Sequence, residues 1–558
     1  MADYDMEKKT KLRIKVVAAI AAIIIAVGFV NDRDFEMSKN LDIYHTLFRE
    51  LSIYYVDEIN PGDLVKKSID EMLKSLDPYT VFIPESDIED FRFMTTGQYG
   101  GIGAYIRSSD GHVVVSEPID GSPAMLAGLK AGDLIVEIDG KDVSGYNTEK
   151  VSELLKGEPK SKVTLTVETP FTHKKRKVEI IRQKIKVKSV PYYGMVADGI
   201  GYISLSNFTE NCSQEVKDAL IDLKKNNQLK GLVLDLRGNP GGLLNEAVSM
   251  SNLFVDKGNE IVSTKGKVKM WNKTYYATSD PVDTQLPLAI LVNSGTASAS
   301  EIVSGVVQDL DRGVIVGCRT YGKGLVQTTR DLSYNTKLKL TTAKYYIPSG
   351  RCIQALDYSH RNADGSVGKI ADSLISEFKT RAGRTVYDGG GVLPDIHFEP
   401  EIMSRIAVSL YTKNLIFDYA TLYNQQHQSI GKPEDFRIDD ATYDDFVNFL
   451  ADKNYDYSLE SEKLINELEA VVKREKYEAQ VGDELEKLRT KLAHDKTKDL
   501  QTFKSEIITL LQEEIVSRYY YQVGRVKSQM TNDSTLFKAI DILTDSEAYA
   551  KLLKPANE

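Results

Sequence analysis

Short and almost wholly apolar runs alternate with amphipathic segments through residues 186–400. The runs GLVLDLR (231–237), LAILV (288–292) and GVIVGC (313–318) each predict a strand that is buried on both faces. Continuous apolar strands separated by helices are typical of a largely parallel sheet covered by helices on both sides. We therefore predict an α/β core over residues 186–400.

Two glycine- and serine-rich loops follow strands of this predicted sheet. They are GNPGG at 238–242 and NSGTASAS at 293–300. In such sheets, functional residues lie in loops beyond the carboxyl ends of the strands. The second loop places Ser298 where a helix starts, and free N–H groups and the helix dipole there favour developing negative charge. That position suits a nucleophile, although a Ser/Ala-rich turn is commonly only a helix cap.

The placement of the histidines limits which base could activate this serine. None lies between residues 174 and 359, so a Ser–His–Asp triad is difficult to build within the α/β core. Lys323 is a candidate base, because burial can lower the pKa of a lysine from about 10.4 to roughly 7–8. If residues 323–327 are extended, Gln327 points to the same side and can orient the lysine amine. For an isolated GKG run, a solvated lysine and a surface amide are the alternative.

Residues 97–185 have a different pattern, with a glycine-rich start (GQYGGIGAYI) and the segment AGLKAGDLIVEIDG at 127–140. This stretch resembles the PDZ family, in the order of elements found in bacterial proteases. In that family a glycine loop offers N–H groups to a chain-terminal carboxylate, and the ligand adds a strand to the sheet edge. The resemblance implies that Gly101, Ile102 and Gly103 form this loop and that Ile102 lines an apolar pocket. A plain turn is the alternative.

Several motifs in one order resemble the carboxyl-terminal processing proteases: DLRGNPGG, TASASEIVSGVVQD, TYGKGLVQ, YIPSGRCIQ and GGGVLPD. These are Ser/Lys peptidases with a tricorn-like, ClpP/crotonase-like α/β core and an inserted PDZ β-domain. The resemblance covers roughly residues 35–400. It implies that Ser298 is the nucleophile, Lys323 the general base and Gln327 the residue that positions the lysine, with no cofactor and no metal.

By the same resemblance, catalysis proceeds through an acyl-enzyme that a lysine-activated water hydrolyses. The oxyanion needs two donors. We assign them to the N–H groups of Ala299 and Gly242, the latter in preference to Gly241. The function implied is that of an exported serine endopeptidase that recognises proteins by apolar C-terminal tails. A catalytically silent PDZ scaffold with a pseudo-protease core is the alternative, and a crotonase-like acyl-CoA enzyme is a weaker one.

The N-terminus carries an export pattern. Five basic residues between positions 8 and 15 precede the uninterrupted apolar run from Val16 to Val30. The run is short for a membrane span of about 20 residues, and both an uncleaved anchor over residues 14–30 and a cleaved signal are open. We favour the inner-membrane anchor. The positive flank then stays inside and the rest of the chain faces the periplasm of a bacterial cell envelope.

The remaining segments are predicted to be helical. Residues 35–96 and 401–558 carry amphipathic patterns, and both regions are candidates for homo-oligomer contacts. The formal charge of −10 argues against nucleic acid as a partner. The three cysteines, Cys212, Cys318 and Cys352, form either three free thiols or one disulfide and a spare, and the two in apolar strand-like contexts are expected to be small core residues.

Overall fold

The computed structural model describes residues 34–226, 228–362, 364–399, 402–492 and 495–555. The chain divides into two compact units, Met1–Phe82 and Ile83–Glu558. The predicted membrane segment at 14–30 lies outside the described residues. No helix within the described part is both long and apolar enough to cross a membrane.

The described part of the first unit, from residue 34 onward, contains two helices, as the sequence predicts. Helix α1 covers residues 34–54 and α2 covers Pro61–Lys74. Helix α2 starts with proline at its first position, and the side chain of Asn60 accepts the N–H of Gly62 at 3.0 Å. Both features favour a helix start there. Strand β1 (Val81–Ile83) follows at the boundary between the units.

The second unit begins with helix α3 (Ile88–Thr96) and a small β domain. Its main sheet has the order β3-β4-β5-β7-β8, with β6 beside β5, while β2 pairs with β9. Alternate residues of β7, such as Val163, Leu165 and Val167, are buried in its core. The elements are β2 (Gln98–Gly101), β3 (Ala104–Ser109), β4 (His112–Pro118), α4 (Pro123–Leu126), β5 (Leu134–Ile138), β6 (Lys141–Asp142), α5 (Thr148–Leu155), β7 (Lys162–Thr169), β8 (Lys174–Ile181) and β9 (Gln183–Lys186).

An α/β core follows, with strands and helices near the predicted positions. Its elements are β10 (Tyr192–Ala197), β11 (Ile200–Ser204), α6 (Cys212–Asn226), β12 (Gly231–Asp235), α7 (Leu244–Ser251), β13 (Glu260–Gly266), β14 (Lys273–Tyr276), β15 (Leu288–Val292), α8 (Ala299–Asp309), β16 (Val314–Gly317), β17 (Leu325–Asp331), β18 (Lys337–Tyr346), β19 (Leu356–Arg361), β20 (Val367–Lys369), β21 (Glu377–Lys379), β22 (Thr385–Tyr387) and β23 (Ile396–His397).

The central sheet of this core has the order β10-β11-β12-β15-β16-β23. Strand β10 is antiparallel to β11, and the other neighbouring pairs are parallel. The prediction of a largely parallel sheet is therefore confirmed. Helices α6, α7 and α8 contribute buried residues to the cluster on one face of the sheet. Strands β13, β14, β17 and β18 belong to a second sheet, in which β17 and β18 form an antiparallel hairpin.

The C-terminal region is helical, as predicted. Its helices are α9 (Arg405–Thr412), α10 (Leu415–Gln426), α11 (Asp440–Phe449), α12 (Glu460–Glu475), α13 (Glu478–Leu492), α14 (Lys496–Thr502), α15 (Lys504–Gln529), α16 (Ser534–Thr544) and α17 (Ser546–Leu552).

Helix α16 covers the second face of the central sheet. Its Leu536 and Ile542 are buried in one cluster with Val233 of β12 and Leu291 of β15. At its N-terminus, Asp533 accepts a hydrogen bond from Arg237, a residue just beyond β12, at 3.0 Å. The C-terminal region thus completes the α/β core, a packing role that the sequence did not indicate.

A buried charge cluster also joins this region to the β domain. Glu514 of α15 accepts hydrogen bonds from Arg518 at 2.7 Å and from Arg525 at 2.8 Å. Arg525 reaches Glu117 of β4 at 3.3 Å. The Arg518 guanidinium also lies 4.3 Å from the centroid of the Phe417 ring. Paired in this way, the charges can be held away from solvent.

The three cysteines are free thiols. Cys212 and Cys318 are buried, and Cys352 is half-buried. Burial also raises the pKa of Cys212 far above its ordinary value, with the nearby Glu246 carboxylate acting in the same direction. A buried thiol of this kind is inert, and the burial of Cys318 just after β16 agrees with the expectation for the cysteines in strand-like contexts.

Candidate active site

Ser298 lies at the turn between β15 and α8. Two hydrogen bonds of Thr296 fix this turn. The Thr296 hydroxyl donates to the carbonyl of Leu236 at 2.8 Å and accepts the N–H of Asn293 at 2.9 Å. Ser298 is the N-cap of α8, with φ of +56° and ψ of −113°. A non-glycine residue in such a conformation is strained and is held there by its surroundings. The structure therefore places Ser298 at the helix start that the sequence predicted.

A buried carboxylate, that of Glu301, connects this turn to the loop that carries Lys323. Glu301 is the third residue of α8 and is inaccessible to solvent. It accepts the N–H groups of Ser298 at 2.8 Å, Gly322 at 2.7 Å and Lys323 at 2.9 Å. The hydroxyl of Thr320 is a fourth donor, at 2.6 Å. Burial raises the pKa of Glu301, and these four hydrogen bonds oppose that rise.

The sequence prediction missed Glu301. The spacing Ser298-x-x-Glu301 is that of a capping box, in which the third helical residue reaches back to the N-cap N–H. That spacing could have predicted the contact between Glu301 and the N–H of Ser298. It gave no indication of the two contacts with the lysine loop, which lies 21 and 22 residues further along the chain.

Lys323 precedes the strand that carries Gln327 and is not part of it. Strand β17 begins only at Leu325, and its register against β18 shifts between Val326 and Gln327. The condition under which Lys323 and Gln327 would share one side of a strand is therefore not met, and Glu301 instead accepts the consecutive N–H groups of Gly322 and Lys323. Gly322 also has a φ of +86°, which favours glycine.

Ser298, Lys323 and Gln327 nevertheless line one cavity of about 500 Å³. All three side chains are half-buried. The Gln327 amide donates to the hydroxyl of Thr341 at 3.1 Å, which fixes its orientation on the wall formed by β17 and β18. The other side of the cavity includes residues of α3, among them Phe91 and Phe93. The three residues predicted for catalysis are therefore brought together by the fold.

The predicted oxyanion donors, Ala299 and Gly242, line the same cavity. The N–H of Gly241 is already used, because it donates to the side chain of Asn239 at 2.9 Å. Among the described residues, neither the Gly242 N–H nor the Ala299 N–H has a hydrogen-bond acceptor. Gly242 is also exposed. This arrangement leaves both predicted donors available to a bound group.

Gly241 brings the glycine loop against the serine turn. Its φ is +93°, and a Cβ at this position would lie 2.6 Å from the carbonyl oxygen of Ala297 and 2.9 Å from Cβ of Ser298. Such distances are not compatible with a side chain, so the approach of the two loops requires glycine here.

Of the predicted carboxylate-binding residues of the β domain, Ile102 lies at a second, smaller cavity of about 250 Å³. Ile102 lines it, together with apolar side chains of β3 and α5. Gly101 ends β2 and pairs with Gln183, and Gly103 has a φ of +79° at the turn into β3. Phe93 of α3 lines both this second cavity, the groove beside Ile102, and the larger catalytic cavity. The sequence did not reveal this shared wall.

Metal binding would require clustered ligands. Within the part of the chain that the structure describes, no group of three or more His, Cys, Asp or Glu side chains is placed to hold a metal ion.

The fold and this site define a peptidase core combined with a PDZ domain. The sequence profile of peptidase family S41 matches residues 199–358, and that of the PDZ domain matches residues 114–169. A third profile, described as "Probable PDZ-protease, C-terminal helical domain", matches residues 406–543.

Two curated relatives extend this similarity. The carboxy-terminal-processing protease of Bartonella bacilliformis is 37% identical over 337 residues, which cover 60% of this chain and 77% of that relative. A probable CtpA-like serine protease of Staphylococcus aureus is 36% identical over 346 residues, covering 60% and 68%. A solved photosystem II D1 C-terminal processing protease is 30% identical, covers 64% of this chain and 87% of its own, and has a TM-score of 0.34. The chain belongs to the carboxy-terminal-processing serine proteases of peptidase family S41.

Proposed function

We propose that this protein is an exported serine endopeptidase in which Ser298 is the nucleophile and Lys323 the general base. The observation that carries the proposal is the carboxylate of Glu301, which accepts the N–H groups of both residues. A single rigid acceptor holds the two backbones at a fixed separation, and their side chains line one cavity. Nucleophile and base must be held in such geometry for proton transfer.

The proposed reaction follows the usual course of acyl transfer. The neutral Lys323 amine takes the Ser298 proton while the serine oxygen attacks the scissile carbonyl carbon. The N–H groups of Ala299 and Gly242 stabilise the oxyanion. The lysine ammonium then gives its proton to the leaving amine, and the same amine activates the water that hydrolyses the acyl-enzyme. Gln327 orients the lysine amine from the strand wall.

We also propose how substrates reach the cavity. The loop of Gly101, Ile102 and Gly103 binds the terminal carboxylate of an apolar tail, and the groove beside Ile102 holds the last side chain. Binding of the tail raises the local concentration of the adjoining chain at the catalytic cavity. The common wall at Phe93 supports this proposal, because the groove and the cavity are adjacent.

The location of the protein and its domain limits belong to the same proposal. Residues 1–34 form the cytoplasmic tail and inner-membrane anchor, and residues 35–96, 97–185, 186–400 and 401–558 form the successive domains on the periplasmic side. A reporter enzyme that folds only outside the cytoplasm, fused after residue 40, should be active. An inactive reporter in a stably produced fusion would contradict export.

The nucleophile and base are tested by Ser298→Ala and Lys323→Met. Each variant should lose cleavage of an unfolded protein with an apolar C-terminus by at least about 1,000-fold, while still binding the tail peptide. Ser294→Ala is the matched control, because this exposed serine lies in the same loop. A serine-reactive probe should label wild type and not Ser298→Ala. Cleavage at the wild-type rate by either catalytic variant would rule out the dyad, and tail binding by an inert wild-type protein would favour the silent scaffold.

A further inference from the structure

The lining of the catalytic cavity is cationic. Lys188 and Lys339 contribute to it beside Lys323, which is neutral in the proposed reaction, and the described residues that line it include no aspartate and no glutamate. The chain as a whole has a formal charge of −10. A cavity of one charge sign within a protein of the opposite sign selects the charge of what enters it.

Lys339 lies on the strand wall beside the proposed catalytic residues. In the antiparallel hairpin, Lys339 of β18 is opposite Thr329 of β17, and Gln327 is opposite Thr341. Residues two apart on a strand face the same side. Gln327, Thr329 and Lys339 therefore share one face, and all three line the cavity. Along the strand, Lys339 lies about 7 Å beyond the position of Gln327, at roughly 3.3 Å per residue.

The Lys339 amine has no acidic partner within the described chain. It is half-buried, and burial lowers its pKa with no carboxylate acting against that effect. The neighbouring Lys337, two residues earlier on β18, is paired with Asp331. A partly buried cation without a counter-charge is destabilising. Its position on the wall of a substrate cavity is explained if a ligand supplies the missing anion.

We propose that Lys339 binds a carboxylate of the substrate and thereby makes the enzyme prefer chains with a negative charge close to the scissile bond. The inference rests on the proposed function of the cavity. From the strand spacing and the reach of a lysine side chain, the carboxylate lies within about four residues of the cleaved bond. It can be an aspartate or glutamate side chain, or the free chain end of a short C-terminal product.

Matched peptides test this preference. In one series, glutamate is exchanged for glutamine at each position within four residues of the cleaved bond. At one position or more, wild type should show a kcat/KM about 10-fold higher for glutamate, mainly through KM. Lys339→Met should bring this ratio to about 1, Lys339→Glu should invert it, and Lys339→Arg should keep it. A second series compares a free with an amidated chain end, which separates the two sources of the carboxylate.

Two further proteins make the result decisive. Lys337→Met is the control for removing a lysine from the same strand, and its glutamate-to-glutamine ratio should match that of wild type. Binding of the same peptide pairs to Ser298→Ala reads the preference without cleavage, so a failure of this inference is distinguishable from a failure of the nucleophile. Equal wild-type values for every peptide pair, or an undiminished ratio in a folded Lys339→Met protein, would overturn the proposal.

Discussion

The carboxylate oxygen Oε2 of Glu301 lies 2.9 Å from the backbone nitrogen of Lys323. The same oxygen accepts the N–H of Ser298 at 2.8 Å. Two segments separated by more than twenty residues therefore meet at one atom of a side chain that is inaccessible to solvent. Together with the N–H of Tyr321, which donates to the carbonyl of Thr296 at 3.0 Å, that carboxylate joins the serine turn to the lysine loop.

Replacing Glu301 with glutamine should disrupt the site although the side chain keeps its shape. All four partners of the carboxylate are donors, and an amide nitrogen would face two of them. We expect a loss of stability of about 2–3 kcal/mol and a fall in kcat of about 100-fold with little change in KM, because the base and the nucleophile separate.

Ser304→Ala is the matched control for Glu301→Gln. Ser304 is equally buried in α8, but its hydroxyl bonds only to carbonyls of its own helix. Its loss should cost about 1 kcal/mol or less and leave kcat within about twofold. Urea unfolding and steady-state kinetics measure both effects. Normal kcat in a folded Glu301→Gln protein would show that the carboxylate does not position the dyad.

Gly241→Ala should damage the contact between the glycine loop and the serine turn. The added Cβ would lie 2.6 Å from the carbonyl oxygen of Ala297, and the φ of +93° is unfavourable for alanine. We expect a loss of about 2–4 kcal/mol in stability and a fall in kcat. Gly238→Ala is the control, because its φ is +67° but its Cβ would meet no atom within 4 Å. It should cost only about 1 kcal/mol; an equal effect of both changes in calorimetry would contradict the steric argument.

Gln327→Glu should shift the pH dependence of cleavage. A carboxylate beside the proposed base favours the ammonium form and raises the lysine pKa. The rising limb of the kcat/KM profile should therefore move to higher pH by about one unit, whereas Gln327→Ala should lower kcat about 10-fold without that shift. Thr328→Val changes the opposite face of β17, where the hydroxyl meets Thr342, and should leave the profile in place. An unshifted pH profile for Gln327→Glu would show that the side chain at position 327 does not lie beside the base.

Stability at acid pH should depend on Glu514. Burial opposes its ionisation, but Arg518 and Arg525 outweigh burial and lower its pKa to about 2. The pKa of a glutamate in the unfolded chain is about 4.3. Because the folded pKa is lower, the stabilisation is complete above the unfolded pKa and is lost as pH falls through the folded one.

The Glu514→Gln variant tests this pH dependence. At pH 7 we expect a loss of about 3 kcal/mol, because the buried Arg518 is left without its partner. The difference from wild type should shrink between about pH 5 and pH 2, as seen by urea unfolding. Glu506→Gln is the control, since that carboxylate of the same helix accepts the N–H of Ser404 and lies outside the arginine cluster. A difference that is constant from pH 7 to pH 2.5 would contradict the assignment.

The sequence was informative wherever the determining interaction is local. The strand at 288–292 was predicted with the bounds that the structure shows, because five consecutive apolar residues require burial. The start of α8 at Ser298 followed from the change of pattern in the same stretch. The resemblance to processing proteases is confirmed by relatives that align over 60% of the chain.

Contacts between distant segments could not be predicted from the sequence. The backbone N–H of Lys323 is bound by a helix residue 22 positions earlier, and no local pattern encodes that contact. The pair Arg525–Glu117 joins residues 408 positions apart. Arg237 donates to Asp533, which lies 296 positions later in the chain. The order of apolar and small residues thus determined the elements, and the motifs shared with the processing proteases supplied the candidate site residues. Only the tertiary structure decided how these residues meet, because buried polar groups must find partners wherever the fold brings donors and acceptors together.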